Sequence, residues 1–129
     1  MRALALQEGS VEAERHVTEA RAAEGRQDWQ AAERSYLEAI KLAPAWAEAL
    51  VNLGVVYNRE GKTDDAIRAF TRAAQIKPKL AGALFNLGLT LVRKGIYGEA
   101  ITPLRRTLEI EPENDGARRS PGKNTPTTP

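Results

Sequence analysis

Apolar positions recur along this chain at helical spacing, in blocks that repeat every 34 residues. Within residues 47–80, Leu50, Leu53, Gly54 and Tyr57 fall on one face of a first helix. Ala66, Ile67, Phe70, Ala73 and Ala74 fall on one face of a second. Gly61 lies between them, where a residue without Cβ closes a helix in the left-handed conformation at little cost. Thr63 is placed to cap the second helix, and Asp64 and Asp65 suit the positive end of its dipole. Pro78 stops it, because proline disfavours helix in the residue before it.

The same marks return elsewhere. Ala32, Ala66 and Ala100 share one spacing, as do Tyr36, Phe70 and Leu104, and Pro44, Pro78 and Pro112. Leu84, Asn86, Leu87, Gly88, Arg93 and Gly95 repeat Leu50, Asn52, Leu53, Gly54, Arg59 and Gly61. The pattern predicts six helices, over 12–25, 28–42, 46–60, 63–76, 80–94 and 97–110, and no strand. It divides the chain into an N-terminal segment at 1–12, repeats at 13–46, 47–80 and 81–114, and a Pro/Thr-rich tail at 115–129 expected to be disordered. The fold class is all-α, built of tandem helix–turn–helix units. One such hairpin cannot bury its face, but stacked copies can. Gly54 and Ala66 allow close helix approach, and Leu50, Leu53, Tyr57 and Phe70 fill the space around it.

Three features break the regularity. His16 and Glu19 stand where the other repeats have leucine. Either that helix ends the stack and faces water, or residues 1–12 fold over it with polar partners. Pro103 sits inside the last helix, near its first turn, where a lost backbone donor does little damage. Nothing resembling a capping helix follows Pro112, so the face bearing Leu104 and Leu108 is expected to stand open.

Composition narrows the functional classes. Aromatic residues are only 5% while hydrophobic residues reach 42%, a balance dominated by alanine and leucine that suits packed helices. A net charge of +2 is too small to indicate nucleic acid. The absence of cysteine excludes disulfides and thiolate metal sites. No apolar run approaches the ~18 residues that span a bilayer. The apolar stretch after Arg2 is too short for a secretory signal, so the expected location is cytoplasmic. A single histidine, His16, excludes histidine-pair metal motifs. Glu99, Glu109, Glu111 and Glu113 read as a solvated face. No glycine-rich phosphate loop is present. We therefore expect no catalysis, no cofactor and no metal.

These residues resemble the tetratricopeptide repeat family. Residues 47–80 match its pattern at Leu50, Leu53, Gly54, Tyr57, Ala66, Phe70, Ala73 and Pro78. Residues 81–114 match at Leu84, Leu87, Gly88, Ala100 and Pro112, departing at Leu91, Leu104 and Thr107. Residues 13–46 match in their second half, at Ala32, Tyr36, Ala39 and Pro44. The resemblance implies a right-handed superhelix whose first helices line a concave groove. Carried over by position, the groove would present Glu48, Val51, Asn52, Val55, Asn58 and Arg59, then Gly82, Phe85, Asn86, Leu89, Val92 and Arg93. The first repeat would add Glu14, Val17, Thr18, Arg21, Glu24 and Gly25.

Asn52 and Asn86 carry the most chemistry on that surface. A primary amide donates and accepts, so it can hold a peptide unit at N–H and C=O together. First helices spaced about 10 Å apart would meet roughly every third residue of an extended ligand. Repeat arrays of protein O-glycosyltransferases carry asparagine at this position, and the chain is similar to them there. The plainer alternative is a polar residue on an exposed helix face. The family's clamp for a C-terminal carboxylate would fall on Val17, Arg21, Asn52, Gly82 and Asn86, and only Asn52 fits it. Arg21, Arg59 and Arg93 suit acidic ligands or solubility equally. The groove lacks the basic stripe with stacking aromatics that nucleic acid needs. Two functions remain: a non-catalytic scaffold binding a peptide segment of a protein partner, or an assembly module that self-associates through its last repeat.

Overall fold

A computed structural model of the chain describes residues 2–119, with side-chain surroundings from Val11 onward. Those residues form α1 (Arg2–Gly25), α2 (Trp29–Leu42), α3 (Ala47–Arg59), α4 (Thr63–Ile76), α5 (Ala81–Lys94), α6 (Tyr97–Ile110) and α7 (Asp115–Arg118), with no strand among them. The helices pair in chain order, α1 with α2, α3 with α4 and α5 with α6. α2 packs on α3 and α4 on α5, so each pair stacks on the one before. α3 and α5 also touch, which sets the first helices of successive pairs side by side. This is the all-α tandem array that the 34-residue spacing predicts.

One contact recurs inside each pair. Ala20, Gly54 and Gly88 share a repeat position, and Tyr36, Phe70 and Leu104 share another. Tyr36 and Phe70 are fully buried and Leu104 is 1% exposed. A Cβ on Gly54 would lie 2.7 Å from Phe70 Cζ, and one on Gly88 would lie 2.5 Å from Leu104 Cγ. Neither distance is physically available, so the small residue is what lets the ring or branched side chain sit against its partner helix. In the first pair, the Tyr36 hydroxyl donates to the Glu24 carboxylate across the same seam. Burial first, and then Glu24, hold that phenol well above its ordinary pKa.

Gly61 and Gly95 both take positive φ, 79° and 88°, in the turns that reverse the chain within a pair. Asp28 caps α2 by accepting from the Ala31 N–H at 3.2 Å. Lys62 and Ile96 occupy that place before α4 and α6, and neither supplies a side-chain cap. Thr63 is therefore the first residue of α4, not its cap.

Other expectations change as well. α1 begins at Arg2, so the N-terminal segment extends the first helix instead of folding across it. His16 is partly shielded beside exposed Glu19, with Nδ1 and Oε1 3.2 Å apart. Pro103 lies in the second turn of α6, further in than the sequence suggests. Its missing N–H leaves the Glu99 carbonyl without a helical donor, yet the helix continues.

The face expected to stand open is partly closed. Leu104 is buried and Leu108 half-buried. The cover is α7, whose Ala117 is fully buried in a cluster with Leu91, Ala100 and Leu104. Asn114 caps this turn, accepting from the Ala117 N–H at 3.0 Å. Ala117 repeats Ala49 and Ala83, both buried, so α7 is in register with the first turn of a further first helix. The tail expected to be disordered from Asp115 thus opens with a helical turn. Residues 120–129 lie outside the described residues.

The seam yields a direct prediction. Gly54→Ala must displace the buried Phe70 ring and should destabilise the protein by about 1–3 kcal/mol, as overpacking does. Denaturant unfolding followed by circular dichroism measures this, and an unchanged midpoint would remove the glycine from its packing role.

Candidate functional site

Val51, Asn52, Val55, Asn58 and Arg59 all lie on α3, and Phe85, Asn86, Leu89 and Arg93 on α5. Contact between the two helices brings the nine residues onto adjoining elements. The arginines are exposed and the other seven are half-buried, so none is sealed in the core. Their surroundings nevertheless differ.

The Asn52 side chain makes no hydrogen bond within the described residues, so its carboxamide is open at both N–H and C=O. Asn86 instead donates from Nδ2 to the Gly82 carbonyl one turn earlier, at 2.8 Å. The sequence gives these asparagines equal roles, and the structure makes them unequal. Asn58 is also engaged, donating to Thr90 Oγ1 at 2.9 Å across the joint between pairs. Thr90 itself donates to the Asn86 carbonyl at 2.8 Å. Thr90 is 1% exposed, a buried hydroxyl satisfied on both sides.

The apolar members line the same helices. Val51 packs against the buried cluster formed by Ala47, Leu50, Ala73 and Ala83. Phe85 lies beneath α7, and a Cβ on Gly116 would come within 2.6 Å of its ring. Phe85 is therefore partly covered by the chain itself. The Arg59 guanidinium lies 5.6 Å from the ring centroid of Trp29, within cation–π range. Arg93 has no such ring, and it lines a cleft of about 480 Å³ with Asn58, Gly61, Lys62, Thr63, Asp64, Asp65, Thr90 and Lys94.

A charged cluster not anticipated from the sequence joins the first two pairs. Lys62 Nζ sits 2.8 Å from Glu33 Oε1 and 3.7 Å from Glu60 Oε2. The Glu60 side chain is only 8% exposed, and its Oε1 has no partner. Burial first, then the adjacent Glu33 carboxylate, raises the Glu60 pKa. The Lys62 hydrogen bond holds Glu33 below the usual carboxylate range. The only sequence cue was a glutamate just before the turn glycine, and its burial depends on α2 packing over that turn. Among the described residues, no group of three or more His, Cys, Asp or Glu is placed to hold a metal. Among the same residues, no helix is long and apolar enough to cross a membrane.

The two carboxyls should respond to pH with opposite signs. Glu60 binds its proton more tightly when folded, so its contribution favours folding at low pH and is lost as pH rises past 4.5 through its folded value. Glu33 contributes above 4.5 and loses that contribution as pH falls through its lowered value. Relative to the unmodified protein, Glu60→Gln should gain stability as pH rises above 4.5, and Glu33→Gln should lose stability as pH rises toward 4.5 from below. Urea titrations on both sides of pH 4.5 measure the two slopes, and curves parallel to the unmodified protein's would contradict the assignment.

Comparison with known proteins adds the family context. The family model described as Tetratricopeptide repeat matches residues 17–81. No curated protein sequence matches the chain. The Arabidopsis OM64 TPR domain is similar in structure, with a TM-score of 0.82 and 27% identity, covering 85% of this chain and 91% of that domain. MamA is similar at a TM-score of 0.76 and 31% identity, over 82% of this chain and 62% of its own. An O-GlcNAc transferase mutant from Thermobaculum terrenum shares 29% identity at a TM-score of 0.77, over 85% of this chain but 21% of its own.

Proposed function

The chain belongs to the tetratricopeptide repeat family, and on that premise we propose that it is a non-catalytic scaffold holding an extended peptide segment of a protein partner along α3 and α5. Protein interaction is the coarse role that the family and fold support. The open amide of Asn52 carries the finer reading. It stands on α3 beside half-exposed Val51 and Val55, with Phe85 and Leu89 on the neighbouring helix. Such a strip offers backbone hydrogen bonds together with shallow apolar contact, the combination an extended peptide needs.

Self-association is the competing reading, and its original basis is reduced because Leu104 is buried beneath α7. At the opposite end of the stack α1 carries exposed Glu12, Arg15 and Glu19, a polar face poorly suited to stacking on an apolar one.

The experiment is selection from a random peptide display library, followed by calorimetric titration of the selected peptides. Asn52→Ala should weaken binding by about 1–3 kcal/mol for peptides of unrelated sequence, since two backbone hydrogen bonds are lost. Asn86→Ala should cost less, because its amide must first give up the Gly82 carbonyl. Unchanged affinity in a folded Asn52→Ala variant would remove the asparagine from the binding face.

A further inference from the structure

Among the differences between the joints of successive pairs, one is an aromatic ring. Trp29, Thr63 and Tyr97 share a repeat position, each the first residue of a second helix. Arg59 and Arg93 share another, at the end of the following first helix. At the first joint the Arg59 guanidinium lies over the Trp29 ring. At the second joint the arginine is present and the ring is replaced by Thr63. The cleft of about 480 Å³ lies there, lined by both Thr63 and Arg93. Its size falls within the roughly 300–1,000 Å³ typical of ligand pockets.

The charges around the cleft are already matched, with one exception. Lys62 pairs with Glu33 at 2.8 Å, Lys94 with Asp64, and Asp65 with Arg68. Arg93 makes no ion pair within the described residues. The Asp64 and Asp65 carboxylates are already held by Lys94 and Arg68, and the one unmatched charge, the Arg93 guanidinium, disfavours a cationic guest. An aromatic ring meets that charge with its π face, as Trp29 does for Arg59 at the first joint, and its polar edge suits the polar lining. We propose that the cleft receives an aromatic side chain of the bound peptide, tryptophan or tyrosine, whose ring lies against Arg93 as Trp29 lies against Arg59. The indole N–H or phenol O–H then meets the polar wall formed by Asn58, Thr63 and Asp65. Thr63 and Arg93 thereby determine which peptides bind, an assignment that rests on the peptide-binding reading above.

The test uses the full chain and small probes. N-acetyl-tryptophanamide and N-acetyl-tyrosinamide are titrated while NMR follows the Asn58, Thr63 and Thr90 amides and the Arg93 side chain. Saturable shifts at these groups are expected with both probes, and none with N-acetyl-leucinamide. Thr63→Trp fills the cleft from within and should abolish the shifts. Arg93→Ala, an exposed change that should leave folding intact, should weaken the probes about three- to tenfold. No saturable shift with either aromatic probe overturns the proposal, as does equal binding by the Arg93→Ala variant. Tighter binding of N-acetyl-aspartamide would likewise overturn it in favour of an acidic guest. Display-selected peptides separate this idea from the broader one. If they bind Thr63→Trp as tightly as the unmodified protein, the aromatic slot is wrong and the peptide-binding face stands. If no peptide is selected at all, the face is wrong, while the probe titration still decides the slot.

Discussion

The structure depends on one steric fit, repeated along the chain. A large side chain on each second helix sits against a residue with little or no side chain on the first. Phe70 against Gly54 is the tightest instance, since a Cβ there would overlap the ring. Leu104 against Gly88 repeats it, and Tyr36 holds the corresponding place opposite Ala20. This close approach fixes the separation of the helices in each pair. Turn glycines at Gly61 and Gly95 return the chain without strain. Once the pairs are rigid, the stacking of α2 on α3 and of α4 on α5 sets α3 beside α5. The candidate binding face follows from that placement.

The joints between pairs carry the individuality. The first is closed by Arg59 over Trp29 and by the Lys62–Glu33 pair. The second uses Asn58 with Thr90 and Lys94 with Asp64, and it keeps a cleft. A shared helix–turn–helix pattern thus carries different surfaces because residues change at equivalent positions. Repeat proteins commonly separate work in this way, with packing held by a shared pattern and recognition by the residues that depart from it.

Most of the fold was legible because its determinants are periodic. Ala66, Phe70, Gly54 and Pro78 each have counterparts 34 residues away, and each does what its spacing implies. The misses arise where a single residue depends on tertiary context. α7 has only four residues, too few to show a period, and Ala117 is buried only because Leu91, Ala100 and Leu104 wait beneath it. Thr63 looked like a cap because threonine favours that role, but Lys62 holds the capping place. The candidate site was legible only as far as its residue positions. Sequence treated Asn52 and Asn86 alike, and the hydrogen bond to Gly82 that separates them depends on a rotamer choice.

The central claim is that ligand lies on the first helices of successive pairs. Amide chemical-shift mapping with a display-selected peptide tests it most directly. Changes concentrated in Ala47–Arg59 and Ala81–Lys94, strongest near Asn52, are the predicted result. Changes confined to the interiors of α2, α4 and α6, with α3 and α5 silent, would contradict it.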